Sequence, residues 1–243
     1  MKTPPKDQVI IGVQPIRELL NFAPERLVRV FTVPNKKSDL LNELSKKKIP
    51  ISFVKKDALN KMVGTESHQM LVGQIKARKI FSLHEFLESV GDTCFVLILD
   101  QIFDPQNFGA IIRSTECLGA SGVIWSKNRG GELSPVATKA SSGASEIVPL
   151  VRVSNLSTTA QALKKEGFEV LAAQISESAK SAFTYEFAPK TALILGSEGE
   201  GIQPLLQRQC DHSLFIPMRG QISSLNVAQA TTALLILWSK QSF

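Results

Sequence analysis

The sequence predicts an α/β protein in two parts, a small basic α/β domain followed by a larger one built on a parallel sheet. Three observations carry that reading. Strand and helix patterns alternate along most of the chain. Phe95-Val96-Leu97-Ile98-Leu99 is an uninterrupted apolar run, which a strand covered on both faces requires. The charge also changes sign near residue 80: residues 1–80 hold 16 Lys and Arg against 7 Asp and Glu, a net +9, whereas the remainder holds 12 against 15, a net −3.

In chain order, the first part reads as a helix at Pro15–Asn21, a strand at Val28–Val33, a helix at Asp39–Lys47 and a strand at Ile51–Val54. A short helix and a strand at Leu71–Lys76 complete it. Pro24, Pro34 and Pro50 fall between elements, where a missing amide hydrogen does least harm. The amphipathic stretch from Arg78 to about Asp92 marks the boundary, giving domains at 1–78 and 93–243 joined by a linker at 79–92. In the second part, strands are expected at Phe95–Leu99, Gly122–Trp125, Glu169–Ala173, Ala192–Leu195 and Ser213–Ile216. Helices are expected at Asn107–Leu118, Ser157–Glu166, Gln203–Gln209 and Asn226–Ser239.

With 243 residues and 43% hydrophobic composition the chain has material for a sizeable core. No apolar run approaches the roughly 20 residues that cross a bilayer. Met1-Lys2-Thr3-Pro4-Pro5-Lys6 lacks a secretory h-region, so a cytoplasmic location is expected. Cys94, Cys117 and Cys210 are odd in number and widely spaced, which suits buried or free thiols rather than disulfides or a metal motif. The positive excess of the first part suits a polyanion such as RNA. Lys36-Lys37, Lys46-Lys47-Lys48 and Lys55-Lys56 are equally compatible with solvated faces.

Three loops, each following a strand and leading into a helix, gather the polar chemistry. The first is Asp100-Gln101-Ile102-Phe103-Asp104-Pro105-Gln106-Asn107-Phe108-Gly109, whose helix bears Arg113 directly after Ala110-Ile111-Ile112. It lies at a strand's carboxyl end, where open α/β sheets bind ligands, although Asn107 could also be a helix N-cap. Arg113 interrupts a helix that otherwise reads as buried, and a buried guanidinium needs a partner. The second loop, Leu195-Gly196-Ser197-Glu198-Gly199-Glu200-Gly201-Ile202, is neither a P-loop nor a dinucleotide fingerprint. Its glycines permit close backbone approach to a ligand. The third runs from Phe215 through Ile216-Pro217-Met218 and Ser223-Ser224-Leu225-Asn226, where Ser224 or Asn226 could simply cap the last helix. Together the three could converge on one crevice.

In order and spacing these segments resemble the SpoU, or TrmH-like, branch of the knotted SPOUT methyltransferases. The likeness rests on Asp104-Pro105-Gln106-Asn107-Phe108-Gly109 with Arg113, on Leu195-Gly196-Ser197-Glu198-Gly199, and on Ile216-Pro217-Met218 with Ser224-Leu225-Asn226-Val227. Ser142-Gly143-Ala144-Ser145-Glu146 is similar to a further pattern of that family. The first part more loosely resembles the ribosomal-protein-like RNA-binding domain of the rRNA guanosine-2′-O-methyltransferase subgroup. The resemblance implies a parallel sheet closed by a trefoil knot, which contradicts the default rule that chains do not thread their own loops. It implies a homodimer, S-adenosylmethionine as methyl donor, and methylation of a ribose 2′-hydroxyl, with a guanosine of 23S rRNA favoured over transfer RNA. It further implies that Gly196, Ile216 and Leu225 hold the cofactor. Asn107, Arg113, Glu198, Ser224 and Asn226 would then form the catalytic and substrate-facing set. A guanidinium resists deprotonation, so Arg113 is expected to bind phosphate and stabilise the nascent alkoxide rather than act as a base. No metal is expected, and His68, His84 and His212 read as structural or surface residues.

Two departures fall in the first part. Gln14 stands where relatives usually have histidine, and Met70 stands where glycine commonly follows the glutamine. Two other functions compete with this reading. One is a Rossmann-type methyltransferase acting on a base or a protein, against which the chain lacks an early glycine-rich cofactor loop. The other is an RNA-binding protein without activity, which the intact Asn107, Arg113, Glu198 and Asn226 oppose.

Overall fold

The structure, a computed structural model, describes residues 9–36, 38–197 and 199–242. Two compact units emerge, Met1–Lys79 with Glu132–Ile147, and Ile80–Gly131 with Val148–Phe243.

The first unit follows from strict alternation along its strands. A four-stranded sheet has the order β1 (Val9–Ile11), β4 (Leu71–Ile75), β2 (Leu27–Thr32), β3 (Ile51–Phe53). Only the β2–β3 pair is parallel among these neighbours. Ile10, Val30 and Leu71 point to one face and meet Ile16, Leu19 and Leu20 of α1 (Val13–Phe22) with Leu40 and Leu44 of α2 (Asp39–Lys46). Val9, Ile11, Phe31 and Val72 point to the other and meet Leu59 and Val63 of α3 (Lys56–Val63). Period-2 strands thus feed two helical layers, each with its own apolar stripe.

The unit also takes in α6 (Pro135–Ala140) and the turn at Ala144–Glu146. The Glu146 side chain is 2% exposed and is held by Arg26 and, at 2.5 Å, by Arg78. A carboxylate so deeply buried needs such partners. At Gly143, φ is +94° and an added methyl would press on the Glu18 side chain, so glycine is required there.

The second unit is a seven-stranded sheet in the order β7-β6-β5-β10-β8-β11-β9, every neighbouring pair parallel. Its strands are β5 (Cys94–Leu99), β6 (Gly122–Ser126), β7 (Leu150–Val153), β8 (Glu169–Ala173), β9 (Lys180–Ser181), β10 (Lys190–Leu195) and β11 (His212–Phe215). Every residue of β5 is buried, as expected for a strand with helices on both faces. On one face, Val96, Ile98 and Ile194 pack with α4 (Leu83–Ser89), α7 (Leu156–Lys165) and α8 (Pro204–Gln207). On the other, α5 (Pro105–Cys117) packs against α9 (Val227–Ser242), with Ser114 and Thr232 hydroxyls 2.7 Å apart. On that face Phe95 meets Trp238 at 4.7 Å.

The expected elements are present within a few residues, and the parallel sheet is observed. Strands β1, β7 and β9 and helix α6 were not anticipated; the strands have two to four residues, too few to display a period. The expected linker at 79–92 differs from the observed division. Residues from Ile80 onward belong to the second unit: Phe81 donates its amide to Leu150 O at 2.9 Å, Ser82 and Glu85 form a capping box, and Phe86 is wholly buried. Conversely, Glu132–Ile147 joins the first unit rather than the second.

Candidate active site

The strand order reverses at β5. The chain proceeds from β5 outward through β6 to β7, then returns to build β8, β10 and β11 on the other side. Such a switch point opens a crevice at the carboxyl ends of the strands. The first loop leaves β5 here. Asp100 donates its amide to Leu195 O at 2.9 Å, and its carboxylate, 3% exposed, accepts the Gln203 amide at 2.8 Å. Burial pushes the Asp100 carboxyl up, while the Gln203 amide and the Arg129 charge draw it back. Asp104, not Asn107, caps α5, accepting the Gln106 amide at 3.0 Å with Pro105 at the first turn. Asn107 is therefore available for another contact: its Oδ1 accepts Asn226 Nδ2 at 2.9 Å. Asn226 Oδ1 in turn accepts the Ala228 amide at 2.9 Å, so this residue both caps α9 and reaches across to α5.

The second loop closes on itself through paired bonds, Ser197 N to Gly201 O at 3.2 Å and Gly201 N to Ser197 O at 3.0 Å. Gly196 lies inside that closure, where an added methyl would press into the backbone of Gly201 and Ile202. Together with the exits of β8 and β11 and the approach to α9, this loop encloses a cavity of about 310 Å³. Gly196, Ile216 and Leu225 line it, and so does Ser224. Leu195, Leu214 and Leu234 supply apolar wall, and Ser197 and Ser223 polar rim. The volume and mixture suit a small organic ligand.

Three loops distant in sequence thus meet at one edge, and Asn107 with Asn226 bridges the helices that follow two of them. Arg113 departs from expectation. It is exposed on α5, does not line the cavity, and its side chain hydrogen-bonds Cys117 one turn on. Its helix buries Ile111, Ile112 and Thr115, and the residue between them turns outward at 3.6 residues per turn. Glu198 lies outside the described residues. Asp100 was missed as a supporting residue. Its signal was the acidic side chain directly ending an apolar strand, where a carboxylate must find buried donors. The cavity residues Ala173, which ends β8, and Gln174 and Ile175, which follow it, had no motif to mark them.

The three cysteines are free. His68 is fully buried and hydrogen-bonded, whereas His84 and His212 are exposed. Among the described residues no group of three or more His, Cys, Asp or Glu is arranged to hold a metal, and no helix is long and apolar enough to cross a membrane.

A parallel sheet covered on both faces, with a mainly apolar cavity at the carboxyl ends of its strands and serines at the rim, defines an α/β protein that takes a nucleotide-type cofactor. The chain belongs to the SpoU rRNA Methylase family, whose profile matches residues 94–236. A second profile, RNA 2′-O ribose methyltransferase substrate binding, matches residues 9–81. Among curated relatives, the 23S rRNA (guanosine-2′-O-)-methyltransferase RlmB of Haemophilus influenzae is 34% identical over 228 residues, 91% of this chain and 93% of that protein. The protein of the same name from Escherichia coli is 32% identical over 230 residues, 92% and 94% of the two chains. Among solved structures, the SpoU methyltransferase AviRb from Streptomyces viridochromogenes in complex with AdoMet superposes with a TM-score of 0.80 at 24% identity, covering 96% of this chain and 89% of that one. The A. aeolicus TrmH/SpoU tRNA modifying enzyme gives 0.56 at 25% identity, covering 65% and 80%.

Proposed function

We propose that this protein transfers the methyl group of S-adenosylmethionine to the ribose 2′-hydroxyl of a guanosine in 23S rRNA. The observation that carries the reading is the meeting of Gly196, Ile216, Ser224 and Leu225 around one cavity, with the Asn107–Asn226 pair between the helices that leave the first and third loops. The residues fit the cofactor: apolar walls suit the adenine and methionine chain, and Gln174, Ser197 and Ser223 supply polar groups in the lining. When bound, the cofactor brings a methyl already activated by its sulfonium. What remains for this chain is to place an acceptor oxygen and manage its proton. The Ala228 amide fixes Asn226 Oδ1, so Asn226 Nδ2 donates to Asn107 Oδ1 and the two side chains are held together. Two ordered amides and the Ser224 hydroxyl can thus orient a ribose. Arg113 binds the neighbouring phosphate and stabilises the oxygen's negative charge as its proton leaves, and Glu198 orients that guanidinium.

Arg113 is exposed in the single chain, and Ile222 and Leu225 of the third loop and Ile236 of α9 expose 78, 39 and 50% of their surface. That surface supports a homodimer in which a second copy covers the site. Membership of the SpoU rRNA Methylase family supports a threaded, knotted chain in this region. The +9 of residues 1–80 supports their role as the RNA grip, and a cytoplasmic location follows from the substrate. Labelled methyl from the cofactor should enter 23S rRNA and protect one ribose from alkaline cleavage. Incorporation without protection would mean a base is methylated, and no incorporation would mean a binding protein.

A further inference from the structure

The loop after β6 is not accounted for by the cofactor cavity, yet it is held to the same edge of the sheet. Lys127 donates its amide to Val153 O at 2.8 Å, tying the loop to the end of β7. The Gln101 amide donates to Arg129 O at 3.2 Å, tying it to the exit of β5. The return is equally constrained. A methyl on Gly130 would meet Ser126 O at 2.8 Å and Trp125 at 3.0 Å, and one on Gly131 would meet Ile102 O at 2.7 Å. Neither position has room for a side chain. Fixed backbone therefore carries Lys127, Asn128 and Arg129, all exposed, in a part of the chain whose net charge is −3.

Strand order then decides what this tip faces. The cavity lies over β10, β8 and β11, on one side of β5, and the tip ends β6, on the other. The loop bearing Asn107 leaves between them. Two strand spacings, about 10 Å, separate the tip's strand from β10, which is the scale of an adjacent nucleotide.

We propose that Lys127 and Arg129 form a phosphate-binding tip of the second unit, gripping the RNA backbone beside the methylated nucleotide independently of the basic first part. The proposal rests on the reading of RNA as substrate. Rigid backbone lowers the entropic cost of the contact, and cations on an otherwise acidic unit restrict where RNA can lie.

The test uses the full chain carrying Lys127→Gln and Arg129→Gln together, with fluorescence anisotropy on an rRNA fragment across a salt series. Each phosphate contact contributes about 0.7–0.9 to the slope of log affinity on log salt. The double variant should lower that slope by about 1.4–1.8, so that a four-fold rise in salt costs it about ten-fold less affinity than the wild type. Single-turnover methylation should weaken in parallel at low salt. Arg129→Lys alone should keep the wild-type slope, and Lys165→Gln, on the exposed side of α7, should leave both slope and turnover unchanged. Calorimetric affinity for S-adenosylmethionine should stay the same in every variant. An unchanged slope in the double variant, an equal fall in Lys165→Gln, or a loss of cofactor affinity that marks Arg129 as a prop for Asp100 would overturn the proposal. A wild type that binds RNA without methylating it would instead defeat the functional reading, leaving the slope comparison intact.

Discussion

Gly196→Ala probes whether the closed loop 195–201 forms the cofactor pocket. The new methyl would point into the backbone of Gly201 and Ile202, with Ile202 N 2.6 Å away where an ordinary contact begins near 3.4 Å. The two strands of the loop would have to separate by about 1 Å, roughly enough to break the pair of bonds between Ser197 and Gly201. Two hydrogen bonds at about 1 kcal/mol each, with about 1 kcal/mol or more for overpacking, put roughly 2–4 kcal/mol against the ordered pocket. As an affinity this is about 30- to 700-fold. Titration calorimetry with S-adenosylmethionine reads the loss, and thermal unfolding shows whether the fold survives. Gly199→Ala is the internal control, because a methyl there meets nothing within 4 Å. Cofactor affinity in Gly196→Ala within two-fold of the wild type would refute the assignment of this loop, and an equal loss in Gly199→Ala would refute the steric cause given for it.

Four further outcomes are expected. Arg113→Ala should abolish transfer while leaving cofactor affinity within a few-fold and stability within about 0.5 kcal/mol, since the side chain is exposed and outside the cavity; turnover near normal in a methylation assay would contradict its role. Asp100→Ala should weaken cofactor binding measured by calorimetry and cost about 1–3 kcal/mol in urea unfolding, because the Gln203 amide loses its acceptor. Met70→Gly should stabilise the protein by about 0.5–1 kcal/mol in the same unfolding assay. Met70 is held at φ +57° and is 40% exposed, so relief of left-handed strain outweighs the added freedom of the unfolded chain. His68 gives a pH signature. Its Nδ1 accepts the Met70 amide at 3.0 Å, which leaves Nε2 to donate to Asn60 Oδ1 at 2.7 Å, and burial, then Lys56, lowers its pKa. The unfolded state takes up the proton first, so this contribution is complete above the ordinary histidine value of about 6.5 and declines as pH falls through it toward the folded value. Urea midpoints between about pH 8 and 5 should drop less in His68→Gln than in the wild type.

Met70 also shows how a departure from the family pattern becomes intelligible in three dimensions. Gln69 and Met70 both adopt positive φ, and the Gln69 Oε1 accepts the Val13 amide at 2.9 Å, capping α1 from 56 residues away in sequence. Glycine would occupy position 70 without strain. The departure therefore bears on local stability as well as on RNA recognition. Gln14 is exposed and donates to Glu18 on the same helix, a contact that explains nothing about substrate choice.

Local pattern alone determined the α/β class, the parallel sheet, nearly all helices, and the three loops with their polar residues. Each of those depends on neighbours within a few positions: the period of apolar residues, a proline between elements, a continuous apolar strand. Tertiary structure decided the rest. Arg113 follows two buried isoleucines yet faces solvent, because only the packing of α5 on α9 settles which side of the helix is covered. Asp100 became a support when Gln203 arrived from 103 residues away, and Glu146 found Arg26 at a separation of 120. Chain closure over such distances is set by which surfaces exclude water together, and no window of sequence contains both surfaces.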